Sequence, residues 1–353
     1  MLPQLLVMVL SVLTYNYIVA PRDGFDGIER EVPTPPELVG PYAVNTELQN
    51  VEMVINNKWH GVEDVACKDG YLYASAYQNN TILRVDLKTG ELSKVITYPG
   101  KPLGIAFDNN GDMIIADAEL GVIKLDMETN MITLLFSEAN GTPFAFTDYA
   151  VAAKDGMIYV TDASTKFNSE ESALVLLEGQ EAGRLVSYDP KTKETKVLAD
   201  DLFFPNGIAL SEEEDFLYLS HLGYRSIIKF YIKGPKAGTR EPFAENLPGY
   251  PDNIHRSGRG TLWVGISNPV SSAEALYPYV IFKTMAANLI KLGLNIIRKE
   301  AIVAEIDEKT GKVIRMLWDQ TGSKIYATST AYEHEGYLYV GSFKGPGLVK
   351  YKL

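Results

Sequence analysis

Six short segments of the chain repeat one pattern, a run of apolar residues that ends on a small or polar one. They are Tyr71–Ser75, Met113–Asp117, Met157–Thr161, Phe216–Ser220, Thr261–Gly265 and Tyr337–Gly341. Aromatic and β-branched residues dominate them, as suits a pleated strand, and near-continuous apolarity suits a sheet covered on both faces. A unit repeated in this way cannot bury its apolar face alone, so it must stack on its neighbours in an array. About ten positions before each lies a second segment, a spacing that fits a short strand plus a turn. These are Val62–Val65, Leu103–Ile105, Phe146–Tyr149, Pro205–Ile208, Pro251–Ile254 and Thr328–Ala331. Asp-x-x-Thr occurs at Asp86–Thr89, Asp126–Thr129, Asp189–Thr192 and Asp307–Thr310. Each copy reads as a hairpin turn, because Asp and Thr side chains bond their own backbone. Six such units predict an all-β fold, a six-bladed β-propeller with the second set of segments innermost, along the channel. The sixth unit runs out of chain at Leu353 after three strands, and Val51–Ile55 can supply the fourth. Closure of that kind removes exposed sheet edges.

Two stretches break the rhythm, residues 163–182 in the third blade and residues 268–299 in the fifth. In the latter, Ile281, Met285, Leu289, Leu292 and Ile296 recur at helical spacing. That predicts a helical insertion in blade five packed across the propeller face, with a lid or a membrane-contacting helix as alternatives. Nothing reads as a linker between two domains. The expected organisation is an N-terminal signal anchor or signal peptide over residues 1–20, an irregular connector over 21–50 and the propeller over 51–353. Met1–Ala20 holds no charged side chain and is long enough to span a bilayer core as a helix. No Lys or Arg precedes the apolar run, which favours an anchor over a cleaved signal. Two glycosylation sequons, at Asn79 and Asn140, point the same way. The expected location is the secretory pathway, with the propeller membrane-anchored on the lumenal or extracellular side, or secreted.

A net charge of −12 argues against a nucleic-acid partner, which calls for a basic face. The single cysteine, Cys67, excludes an intramolecular disulfide. It follows Val65 and Ala66 and reads as a small buried hydrophobe, since a nucleophilic thiol needs a polar, partly exposed site. No Gly-x-Ser-x-Gly elbow, phosphate loop or zinc signature occurs.

Chemistry concentrates at one end of the channel. Glu63, Asn206 and Asp252 share one repeat position on the innermost segments, with Asn253 beside them. Carboxylate and amide oxygens that converge on a point are what Ca²⁺ needs. Asp64 and Asp148 stand one place later, so strand alternation turns them away from the first set. They can hold a second ion deeper in the channel, or bond backbone amides between blades. None of the four histidines has metal-ligand spacing with another. His221 ends a strand near the channel mouth and is the best candidate for a general base.

Several stretches resemble the strictosidine-synthase-like family. They are Gly183–Pro190, Phe204–Gly207, Lys233–Gly238, Leu247–Ile254 and Glu333–Ser342, with Pro-Gly-Tyr-Pro-Asp-Asn-Ile the most specific. The resemblance covers about residues 35–353. The family's founding enzyme condenses tryptamine with secologanin through a catalytic glutamate, and Ser329 stands at that place here. The usual cysteine pair before the second blade is also missing from Tyr98–Lys101. The resemblance therefore argues against strictosidine synthesis. The wider superfamily, with its paraoxonases and gluconolactonases, implies a Ca²⁺ ion at the propeller mouth held by Glu63, Asn206, Asp252 and Asn253. It puts Thr147 where a further Asn ligand is expected, and likens Asp64 and Asp148 to structural-calcium ligands. The expected function is calcium-dependent hydrolysis of a small ester or lactone, arylesterase-like, with Thr147 and Ser329 beside the substrate. The alternative is a non-catalytic cell-surface propeller that binds a small molecule or a protein partner.

Overall fold

A computed structural model of the chain describes residues 7, 10–12, 14–20, 24–271, 274, 275, 277–294 and 297–353. The strands form six antiparallel four-stranded sheets, plus one two-stranded ribbon of Glu138–Ala139 and Thr142–Pro143. One edge strand of each sheet touches the equivalent strands of the neighbouring sheets, and together these six line the channel. They are Val62–Lys68, Pro102–Phe107, Thr147–Ala152, Pro205–Leu210, Gly249–Arg256 and Thr328–His334. This is the six-bladed propeller that the repeats predict. The ring closes through Glu52–His60, which pairs antiparallel with Pro346–Lys352 and sets Glu52 opposite Lys350.

The Asp-x-x-Thr copies join the third and fourth strands of blades one, two, three and five. At Asp86 the Oδ1 atom accepts from the backbone N–H groups of Lys88 and Thr89, each at 2.8 Å. Asp126 and Asp307 repeat the arrangement. These donors hold all three carboxyls below their usual pKa.

Apolar faces of adjacent blades meet in continuous clusters. Ile254, Val264, Ile302 and Trp318 of blade five pack on Tyr218 and Ile227 of blade four. Each such side chain contributes roughly 1.5–3 kcal/mol on burial. Blades approach closest near the channel. A Cβ on Gly207 would lie 2.4 Å from the Cα of Asn253, and one on Gly265 would lie 2.1 Å from the carbonyl oxygen of Ser329. Glycine at these two positions lets the innermost strands of blades four and five approach, and lets the second strand of blade five approach the innermost strand of blade six.

Both insertions become helices, Ser172–Glu178 in blade three and Val280–Lys291 in blade five. The second helix does not bury the stripe read from the sequence. Ile281 and Leu292 are exposed, whereas Lys283, Ala287 and Asn288 are buried, and Ile296 lies outside the described residues. The reason is polar. Lys283 Nζ donates to the Ile28 carbonyl at 2.6 Å, and Asn288 Nδ2 donates to the carbonyls of Ile18 and Ala20. The helix thus binds backbone of the N-terminal segment and connector. The connector is fastened again where the Arg30 guanidinium lies 4.5 Å from the ring centres of Phe203 and Tyr224 and donates to the Gly179 carbonyl. Among the described residues, no helix is long and apolar enough to cross a membrane. Residues 1–6, 8, 9 and 13 of the uncharged N-terminal stretch lie outside them.

Candidate functional site

Every innermost strand loses register near the same end of the channel. The shifts fall between Val62 and Val65, Pro102 and Ile105, Thr147 and Tyr149, Pro205 and Ile208, Pro251 and Ile254, and Thr328 and Ala331. A bulge adds a residue to one strand and re-aims its side chains. Strict alternation therefore fails where it matters most. Glu63, Asp148, Asn206 and Asp252 together line the floor of one cavity. Asp148, expected to point away with Asp64, belongs to this set. Asp64 and Asn253 are fully buried and are not among the lining residues, so Asn253 reaches the site only through its contact with Glu63.

Hydrogen bonds fix the donors. Asn253 Nδ2 donates to Glu63 Oε1 at 2.7 Å and to the Glu63 carbonyl at 3.2 Å. Asn206 Nδ2 donates to Asp148 Oδ2 at 3.1 Å, while Asn206 Oδ1 accepts from the Gly207 N–H at 2.6 Å. The Ser267 hydroxyl, also at the cavity, donates to the Tyr250 carbonyl at 3.2 Å. Among the described residues, the buried oxygens without a partner include Glu63 Oε2, Asn253 Oδ1 and Thr147 Oγ1 here. An orphaned buried acceptor costs free energy, so it signals a missing companion.

Charge makes the same point. Burial raises the pKa of Glu63 well above the usual carboxylate value, and the nearby charges of Asp252, Asp64 and Asp148 push it further. Burial and then Asp162 do the same to Asp148. Burial, Asp148 and Asp64 raise Asp252, with Asn206 and Ser267 opposing. No Lys or Arg among the described residues forms an ion pair with these three. By contrast, Asp162 behind them is paired with Arg184 at 2.6 Å. Two carboxylates and two amides around unpaired oxygens suit a hard cation. Glu63, Asp252, Asn206 and Asn253 are the residues that fit it. No three described His, Cys, Asp or Glu side chains gather closely enough to hold an ion by themselves, so the amide oxygens are essential to any such set.

The cavity above this floor measures about 610 Å³. Leu103, Phe146, Phe204 and Leu222 wall it, and Leu176 and Ile290 reach it from the two inserted helices. Lys101 and Lys344 stand among the lining residues, Lys101 paired with Glu170 and Glu119. The arrangement offers a polar, negatively charged floor beneath apolar walls, the usual design of a small-molecule site.

Other sequence-derived assignments need correction. His221 is buried, and its Nε2 accepts the Phe203 N–H at 2.7 Å. Burial, aided by Arg240 and Arg30, lowers its pKa to about 3. Its lone pair is spent on the backbone, so it is not placed to act as the general base. Thr147 and Ser329 are buried beneath the cavity surface and not among its lining residues. Ser329 Oγ instead donates to the Glu63 carbonyl at 2.6 Å. Cys67 is a free thiol, and burial followed by Glu335 pushes its pKa up to about 12. Sequence reasoning passed over His255, whose Nε2 lies 2.9 Å from Asp64 Oδ1. Its place two residues after Asn253 on an innermost strand was the available signal.

Fold and site define a channel-mouth propeller with an acidic, amide-flanked floor. The chain belongs to the strictosidine-synthase-like family. It matches the strictosidine synthase family over residues 147–235. It is 32% identical to adipocyte plasma membrane-associated protein of Bos taurus, over 90% of this chain and 82% of that one. It is 30% identical to protein strictosidine synthase-like 9 of Arabidopsis thaliana, over 96% of this chain and 94% of that one. Among solved structures, a gluconolactonase from Xanthomonas campestris covers 95% of this chain and 99% of its own, with a TM-score of 0.62 and 16% identity. Regucalcin from Agrobacterium tumefaciens, described as a calcium-binding protein, covers 84% and 92%, with a TM-score of 0.60 and 13% identity. At such identities these two likenesses concern the fold.

Proposed function

We propose that this protein is a calcium-dependent hydrolase of small esters or lactones that acts at the channel mouth. One observation carries the reading. Glu63, Asp148 and Asp252 are buried on the floor of an apolar-walled cavity with no Lys or Arg paired to them among the described residues, and Glu63 Oε2 and the nearby Asn253 Oδ1 have no partner. Three carboxylates do not share such a place in the ionised form unless a positive charge joins them. The gluconolactonase and calcium-binding neighbours support the reading at the level of fold.

Glu63, Asp252, Asn206 and Asn253 would hold the ion. When bound, Ca²⁺ supplies Lewis-acid polarisation of an ester carbonyl and stabilises charge on its oxygen. The protein's own side chains do the rest. Asn253 orients Glu63 through a 2.7 Å hydrogen bond, and Asn206 holds one oxygen of Asp148. The other oxygen, Oδ1, is the candidate acceptor for the proton of an attacking water, since the raised pKa of Asp148 makes it a better base than an ordinary carboxylate. Leu103, Phe146, Phe204 and Leu222 take the apolar part of the substrate and exclude bulk water. Strictosidine synthesis is not part of the proposal, because Ser329 offers no carboxylate and its hydroxyl is committed to the Glu63 carbonyl. A second reading, a propeller that binds a small molecule or partner without turnover, is favoured by the engagement of His221 elsewhere.

The proposed setting is the secretory pathway, with membrane contact through the N-terminal segment. The plasma-membrane naming of the animal relatives supports it. So do the exposed Tyr279, Ile281, Phe282 and Leu292 on and around the helix that binds that segment. Hydrolysis of phenyl acetate and of a γ-lactone, measured with chelator and after restoring Ca²⁺, tests the function. Turnover lost and then recovered is expected. Calcium binding with no turnover of either substrate would favour the second reading.

A further inference from the structure

Deeper in the channel, the two carboxylates that the repeats align for a second ion are parted. Asp148 lines the mouth and is held there by Asn206. Asp64, fully buried, stays below. Its Oδ1 accepts from His255 Nε2 and from Thr330 Oγ1, each at 2.9 Å, and its Oδ2 accepts from the Ile105 N–H at 3.0 Å. The Tyr149 hydroxyl lies 3.5 Å from the same His255 nitrogen.

We infer that the channel has no second cation site, and that His255 with its neighbours takes the place of one by engaging both oxygens of Asp64 and tying the blades together. A carboxylate offers about four lone-pair positions, and three donors are directed at this one, two at Oδ1 and one at Oδ2. Ca²⁺ needs oxygen at about 2.3–2.6 Å and several oxygen ligands at once. Here the approaches to the carboxylate are occupied by N–H and O–H groups, and the second carboxylate has left for the mouth. The donors come from blades two, five and six, and the acceptor comes from blade one. Four of the six blades therefore meet at one side chain, through bonds that need no metal. The ring of His255 is further braced at its edge by Tyr332, 5.1 Å away between ring centres. This inference does not depend on whether the mouth holds an ion.

Equilibrium dialysis of the full chain against radiolabelled Ca²⁺ tests it. One bound ion is expected in the wild type and in Asp64→Asn, and none in Glu63→Gln. Two ions in the wild type, one of them lost in Asp64→Asn, would overturn the inference. No ion in the wild type would refute the mouth reading and leave this one standing. The clasp is read separately, by melting in chelator. His255→Ala is expected to melt several degrees below the wild type, with His255→Gln in between because its amide N–H can reach Asp64. Thr330→Val, which removes a single donor, gives the same readout if His255→Ala does not fold. Unchanged melting in the His255 or the Thr330 variant would remove the clasp.

Discussion

Replacing Glu63 by Gln should change stability with opposite sign depending on calcium. In the metal-free protein Glu63 is buried near Asp252, Asp64 and Asp148, and its pKa is raised well above the ordinary value. A carboxyl whose folded pKa is raised adds stability below the unfolded pKa, and that contribution is lost as pH rises through the folded one. Without metal, the ionised form of Glu63 is thus disfavoured, and Oε2 has no partner. Gln keeps the shape, retains an oxygen for Asn253 Nδ2 and carries no charge. Relief of an unsatisfied buried group is on the order of 1–3 kcal/mol. With roughly 2.1 cal/mol/K of unfolding entropy per residue, a chain of 353 residues shifts by about 1.3 °C per kcal/mol. In chelator, Glu63→Gln should therefore melt about 1–4 °C above the wild type. With calcium the order reverses. At a hundredfold excess over its dissociation constant, a ligand stabilises the wild type by about 2.7 kcal/mol. Loss of a charged partner from a buried set costs about 3–5 kcal/mol, which lowers affinity by about two to three and a half orders of magnitude. Scanning calorimetry of both proteins, with chelator and with calcium, gives all four melting temperatures. A variant that melts below the wild type in chelator, or gains as much from calcium, would refute the reasoning.

Three further outcomes follow from single contacts. His221→Ala leaves the Phe203 N–H without its acceptor, so denaturant melts should show a loss of about 1–3 kcal/mol, with calcium affinity unchanged by calorimetry. Arg184→Met leaves Asp162 buried and unpaired, and should cost about 3–5 kcal/mol at neutral pH. Burial already lifts the Asp162 pKa to about 6 despite Arg184, so that loss should shrink as the medium is acidified below pH 6. Asn140 is exposed at the tip of the two-stranded ribbon, whereas Asn79 is half-buried and its Oδ1 accepts the His60 N–H. After secretion from eukaryotic cells, Asn140→Gln should abolish the glycosidase-sensitive mobility shift and Asn79→Gln should not.

The propeller was legible because each blade repeats its own chemistry. Apolar strands mark the sheets, Asp-x-x-Thr marks the hairpins, and the missing fourth strand of the last blade matches the spare strand at the beginning. Glu63, Asn206 and Asp252 were legible for the same reason, since an aligned repeat position becomes a shared height in the channel. What failed were arguments from local periodicity. Alternation separated Asp148 from Glu63, yet the register shift between Thr147 and Tyr149 returns Asp148 to the mouth. Helical spacing put Ile281 and Leu292 inside, yet Lys283 and Asn288 are buried because backbone carbonyls of a distant segment need donors. His221 looked free at a strand end, and only the turn before Pro205 brings the Phe203 N–H onto its ring. In each case the deciding partner lies far away in sequence.

The most direct test couples occupancy to turnover. Calcium affinity is measured by titration calorimetry, and the calcium concentration for half-maximal phenyl acetate hydrolysis is measured on the same preparation, in wild type and in Asp252→Asn. The two values should agree in the wild type and rise together by at least tenfold in the variant. Hydrolysis that persists in chelator, or that keeps its calcium dependence while binding at the mouth is weakened, would contradict catalysis at Glu63, Asn206, Asp252 and Asn253.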